Sequence, residues 1–169
     1  MDASSDPEDG ETLGRSEREV IVQGAGADTR LRLNPAALKR ALASLAPTGG
    51  KASASRVYLA FHELRGTHDA SVLRVSLHPG GSVNEADRKR SFQAGSLGLY
   101  GLRRASLGGE DPSAQGLEFV LEVTPFFTSL AAAGATPPEE LTVSIRPRRE
   151  LSSESSVAIG RIRIFQKNF

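Results

Sequence analysis

A mainly β chain is predicted: an antiparallel β-sandwich or flattened barrel of about eight short strands with two short helices. Three observations predict it. Apolar and polar residues alternate with a period of two in several short segments, which gives each segment one face to bury and one to leave wet. Seventeen glycines and nine prolines supply turn signals between most of those segments. Only two stretches have helical spacing, so the strands must bury their apolar faces largely against one another.

The 169 residues suit one domain with a substantial core. The 38% hydrophobic and 24% charged fractions are those of an ordinary globular protein. With 21 basic and 20 acidic residues the net charge is +1, too small to draw nucleic acid or an anionic membrane by long-range attraction. There is no cysteine, which excludes disulfides, thiolate metal ligands and cysteine nucleophiles. No stretch approaches the roughly 20 apolar residues needed to span a bilayer as a helix. The start, MDASSDPEDGE, lacks the basic and apolar regions of a secretory signal. The expectation is a cytoplasmic protein, or one exported with a partner that carries a signal.

Residues 1–12 are nearly devoid of apolar side chains and are expected to be a disordered acidic tail, with residues 13–169 forming a single β domain. EVIVQ (19–23) and TRLRL (29–33) are short alternating strands around a Gly-Ala-Gly-Ala turn. In NPAALKRALASLAP, Asn34 is an N-cap, Pro35 takes the first helical position, Leu38, Leu42 and Leu45 recur at helical spacing, and Pro47 ends the helix. Residues 48–55, TGGKASAS, read as a flexible link.

Arg56 to His78 reads as a hairpin. Val57, Leu59 and Phe61 share one face of its first strand, Leu73, Val75 and Leu77 one face of its second, and Arg65 to Asp69 form the turn. Residues 79–91 are a polar loop whose basic run, Asp87 to Arg90, lacks the aromatic ladder of a nucleic-acid site. In Ser91 to Leu102 the glycines at 95, 98 and 101 imply a bulge or the close approach of another backbone. No helix start follows them and no Lys-Ser/Thr closes the run, so it is not a phosphate loop. Residues 103–116 are a second polar loop. Leu117, Phe119, Leu121 and Val123 share a strand face, and Glu118 and Glu122 take the other. Thr124 caps a short helix, PFFTSLAAAG, which Gly134 stops. LTVSI (141–145) is a strand ended by Pro147, and VAIGRIRIF (157–165) slips its apolar phase near Gly160, which predicts a β-bulge there.

No catalytic, cofactor-binding or metal-binding residue emerges from these segments. All three histidines, His62, His68 and His78, lie on the expected hairpin, where pairing about its turn keeps them apart as surface or turn residues. Glu118 and Glu122 are about 13 Å apart at strand rise, too far for a carboxylate dyad. No serine occupies a strand-to-helix nucleophile turn.

Five segments in order, VYLAFHELRG with VLRVSL, AGSLGLYG, LEFVLEVTPFFTSLAAAG, LTVSIRP and VAIGRIRIF, resemble the C-terminal β-domain of the tyrosinase and polyphenol oxidase (type-3 copper) family. The preceding TLGRSEREVIV resembles the linker that joins that domain to the copper domain. In the family, six histidines of a separate helical domain hold two copper ions, and the β-domain can cover that site. This chain lacks the copper domain, so the resemblance carries over no copper ligand. It implies a non-catalytic accessory or shielding domain without a cofactor of its own, docking on a separately encoded copper-binding oxidase subunit. Tyr100, Phe126 and Phe127 are the aromatic candidates for partner contact. The alternative is a generic β-sandwich protein-interaction module with no link to copper, binding through strand edges or the 79–91 loop.

Overall fold

Among the described residues, nine antiparallel strands and two helices form around one apolar core. A computed structural model describes residues 10–46, 55–66, 72–80, 91–102, 116–134 and 136–168. In chain order the elements are β1 (Glu11–Ser16), β2 (Val20–Val22), β3 (Ala27–Leu33), α1 (Pro35–Leu45), β4 (Ser55–Gly66), β5 (Val72–Pro79), β6 (Phe92–Gly98), β7 (Leu117–Glu122), α2 (Thr124–Ala133), β8 (Glu140–Pro147) and β9 (Val157–Asn168). They make a single sheet in the order β6-β5-β8-β3-β1-β9-β4-β7, with β2 also paired to β9. β1 pairs with the C-terminal half of β9 and β2 with its first residues, so the two lie one after the other along the same side of β9. The nine strands therefore occupy eight positions around the sheet.

The sheet curls until its two edges, β6 and β7, face each other, giving a nearly closed barrel. No ladder joins those edges among the described residues. Gly95 of β6 instead comes so close to β7 that a methyl group on it would lie 3.0 Å from the Leu121 side chain. Its φ of +148° is open to glycine, and β6 bulges beside it, with Val75 opposite Gly95 but Ser76 opposite Gln93. The bulge expected from the glycine spacing is present.

The strand pairing corrects the expected hairpin. β4 and β5 are both strands with the anticipated buried faces, yet they do not pair. β4 lies between β9 and β7, and β5 lies between β8 and β6. The reason is in the phase of the side chains. In β9 the buried residues pass from Val157 and Ile159 to Ile162 and Ile164, and in β4 from Val57, Leu59 and Phe61 to Leu64. The two slips sit at the same level of one uninterrupted ladder, from Ser55 opposite Asn168 to Gly66 opposite Val157. β5 has no slip and only eight residues, so it could not follow β4 along its length. The bulge expected at Gly160 accordingly lies across the ladder: the register breaks in β4, between Phe61 and Leu64 against β7. Glu63 there takes a φ of 57°, and Gly160 gives its side chain room, since a methyl group on Gly160 would lie 2.6 Å from Glu63 Oε2.

Two further expectations change. β1 begins at Glu11, inside the stretch read as a tail, and the segment read as a linker supplies a strand held between β3 and β9. Neither β1 nor β2 has a long apolar alternation, and β1 contains only one buried apolar residue, Leu13. Residues 1–9, most of the 48–55 link, and most of the 79–91 and 103–116 loops lie outside the described residues.

Both helices sit at one end of the barrel, since α1 follows the end of β3 and α2 the end of β7, and β3 and β7 end at the same side. Asn34 Oδ1 accepts from Ala37 N–H at 3.1 Å, and Ala37, Leu38, Ala41 and Leu45 are buried. Gly134 closes α2 in the left-handed conformation, as its position suggests. Thr124 does not cap α2. Val123 holds the cap position, and the Thr124 hydroxyl accepts from Val57 N–H at 2.9 Å, tying the helix start to β4. Gln166 of β9 donates to the Ser44 hydroxyl at 2.6 Å and fixes α1 to the wall.

At the opposite end, Leu99 and Leu102 are fully buried, and Leu102 lies on Gly66 of β4. A methyl group at Gly66 would come within 2.6 Å of Leu102 Cδ2 and 2.9 Å of the Ser156 carbonyl oxygen. Gly66→Ala is expected to cost about 1–3 kcal/mol by overpacking, read as a lower urea midpoint with an unchanged slope.

Candidate functional site

The two histidines within the described residues do not meet. His62 is part of the β4 bulge, where His62 and Glu63 together face Glu118. Its Nδ1 lies 3.3 Å from Glu118 Oε1, with its side chain 7% exposed and that of Glu118 67% exposed. His78 is on β5 opposite Thr142 and is 2% exposed. β6 and β7 separate their two strands around the barrel seam. Their dispersal agrees with the sequence reading. Their exposure does not: both are buried, His62 within the β4 bulge and His78 opposite buried Thr142 of β8. His68 lies outside the described residues. Among the described residues no group of three or more His, Asp or Glu side chains comes together to hold a metal ion.

Glu118 and Glu122 do occupy the outer face of β7 as expected. Each is used by β4: Glu118 by His62, and Glu122 by Arg56, whose Nε is 3.4 Å away. The Thr124 hydroxyl also lies 3.1 Å from Glu122 Oε1.

The three aromatic candidates for partner contact separate. Phe126 and Phe127 belong to the core at the helical end of the barrel, 7% and 0% exposed. Their rings meet edge to face at 5.2 Å, and Phe126 also packs on Phe92 at 5.7 Å. Both face inward because the start of α2 is pinned to β4, so they offer nothing to a partner in this arrangement. Tyr100 is at the other end and is 76% exposed. It projects from a tight turn, Leu99 to Leu102, closed by a 3.2 Å bond from Leu102 N–H to the Leu99 carbonyl. Gly101 at the third position has the φ of +79° that a type II turn requires. Buried Leu99 and Leu102 anchor both ends of the turn, so Tyr100 is held outward on a fixed support. Val120 on β7 and Ile21 on β2 are the other large apolar side chains exposed among the described residues, at 51% and 43%.

One polar concavity was not anticipated. Outward-facing residues of three strands, β5, β6 and β8, line a cavity of about 250 Å³ that includes Arg74, Ser76, His78, Gln93, Ser144 and Arg146. Arg74 stands opposite Arg146, and Ser76 opposite Ser144, in the β5–β8 ladder. The alternations Arg74-x-Ser76-x-His78 and Ser144-x-Arg146 are visible in the sequence, but only the pairing of β5 with β8 makes one surface of them.

The fold and its surfaces define a helix-capped antiparallel β-barrel domain with no assembled reaction centre among the described residues. The chain belongs to the family described as Domain of unknown function (DUF7868), which it matches over residues 9–167. No curated protein sequence matches it. Similar solved structures include latent apple tyrosinase, at 13% identity and a TM-score of 0.52, over 90% of this chain and 28% of that one. A recombinant latent aurone synthase, a polyphenol oxidase, matches at 12% identity and a TM-score of 0.43, over 94% of this chain and 25% of that one. The chain thus spans about a quarter of the length of these oxidases, and the apple tyrosinase likeness is one of fold.

Truncating the aromatic candidates should separate their roles. Phe127→Ala is expected to lose about 3–5 kcal/mol of stability, and Tyr100→Ala to stay within about 0.5 kcal/mol of the parent, as compared by urea unfolding.

Proposed function

We propose that this chain is a non-catalytic shielding domain that docks on the copper domain of a separately encoded type-3 copper polyphenol oxidase. The observation that carries the reading is the likeness in fold to part of latent apple tyrosinase over 90% of the chain, at a TM-score of 0.52. The order of sequence segments resembles the C-terminal domain of that family and is in keeping with the reading. On this reading the copper belongs to the partner, and the chain contributes shape and a contact surface.

Tyr100 is the contact residue we assign. It is exposed, rigidly mounted and aromatic, a combination that concentrates binding energy at protein interfaces. Its side chain is itself a phenol, so it matches the class of molecule that the name polyphenol oxidase describes. A turn that enters a phenol-binding cleft would exclude substrate by occupying it.

Mixing the purified chain with a copper oxidase domain that lacks a shielding domain should yield a complex in gel filtration and slower diphenol oxidation. Tyr100→Ala should weaken the inhibition roughly 30-fold, the equivalent of about 2 kcal/mol for an interface anchor, while leaving the unfolding midpoint in place. No complex together with unchanged turnover would overturn the proposal. Stable capture only of partners unrelated to oxidases would favour a general interaction module instead.

A further inference from the structure

We propose that the cavity on the outer face of β5, β6 and β8 binds a small oxyanion, of carboxylate or phosphate chemistry, through Arg74. This site is distinct from the Tyr100 turn and does not rest on the shielding reading.

The cavity is lined by groups that can donate hydrogen bonds, and among the described residues no carboxylate lines it. Its two guanidinium groups come from directly opposed positions of an antiparallel ladder, an arrangement that costs stability unless the charges are offset. Only one is offset. Arg146 Nη2 donates to Asp28 Oδ1 at 2.7 Å, and its Nη1 donates to the Ala27 carbonyl at 2.9 Å and the Ile145 carbonyl at 3.1 Å. Ser144 also donates to Asp28 Oδ1, at 2.7 Å. Asp28 is thereby consumed by Arg146 and Ser144 on the β8 side.

Arg74 is left exposed, with no ion pair among the described residues. Its planar fork of N–H donors is suited to two oxygens of a carboxylate or phosphate. Ser76, two residues along the same face, and Gln93, its partner on β6, add a hydroxyl and an amide beside it. The sheet fixes these backbones, so the donors converge without ordering a loop. At about 250 Å³ the cavity holds a small anion and its water rather than a large ligand.

The test is titration of the whole chain with inorganic phosphate, and separately with acetate, at constant ionic strength, following backbone amide NMR shifts. Saturable shifts should centre on Ser76 and Gln93. They should disappear in Arg74→Gln and persist in Lys39→Gln, a matched loss of charge on exposed α1. Arg74→Lys should retain binding but weaken it roughly tenfold, because the ammonium keeps the charge and loses the fork. Saturation by phosphate alone would assign the site to phosphate chemistry, and saturation by acetate as well to carboxylates in general. Shifts that never saturate, or that survive Arg74→Gln in a folded variant, would overturn the proposal. Should Arg74→Gln fail to fold, undiminished binding by Arg74→Lys and loss in Lys39→Gln would overturn it equally.

Discussion

The β4–β9 ladder is the constraint on which the rest of the barrel depends. Both strands have twelve residues, and they pair in one register from end to end. Each changes the parity of its buried face at the same level, so the core stays apolar across a slip that would otherwise turn every later side chain outward. Glu63 and Gly160 accommodate the change together, one by a left-handed backbone and the other by having no side chain. On the face turned away from the core cluster, Tyr58 stacks on buried Phe165 at 5.4 Å and Arg163 lies over the same ring at 5.0 Å, so the ladder is reinforced on that face as well. β1 and β2 follow β9, and β7 and the start of α2 follow β4. Much of the topology is thus set by one long pairing between segments far apart in sequence.

That distance explains what could be read in advance. Strand identity, the inward residues of β4, β5, β7 and β8, both helices, the Asn34 cap and the Gly134 stop all follow from local spacing and backbone chemistry. Pairing does not. The alternation in VYLAF and VLRVSL is compatible with a hairpin, and the competing partner, VAIGRIRIF, lies roughly a hundred residues downstream. The phase slip was visible in β9, but its counterpart in β4 falls at His62 and Glu63, two polar residues that give no apolar signal. Misplacing that slip also misplaced His62, which the bulge buries. β1 escaped notice for a related reason: its sequence, ETLGRS, contains a single core residue, and its neighbours on both sides supply the apolar surface.

The surfaces that could carry function were legible to different degrees. Tyr100 stood out as an aromatic among glycines, and the turn that presents it rests on Leu99 and Leu102, which read as ordinary strand residues. Phe126 and Phe127 carry the same aromatic signal with the opposite fate, because α2 starts from a backbone bonded to Val57 and directs them into the core. The Arg74 cavity had no local signal. Arginine, serine and histidine at alternate positions describe any wet strand face, and only the nonlocal register of β5 on β8 collects them.

The seam between β6 and β7 has a mechanical meaning. Every other neighbouring pair around the wall is held by backbone ladders, whereas among the described residues this line is closed by side-chain packing such as Leu121 against Gly95. The Tyr100 turn hangs directly from the end of β6. A load applied through that turn is therefore delivered to the side of the barrel with the least resistance to shear, and the wall would unzip there first, peeling β6 toward β5 while the β4–β9 pairing stays intact.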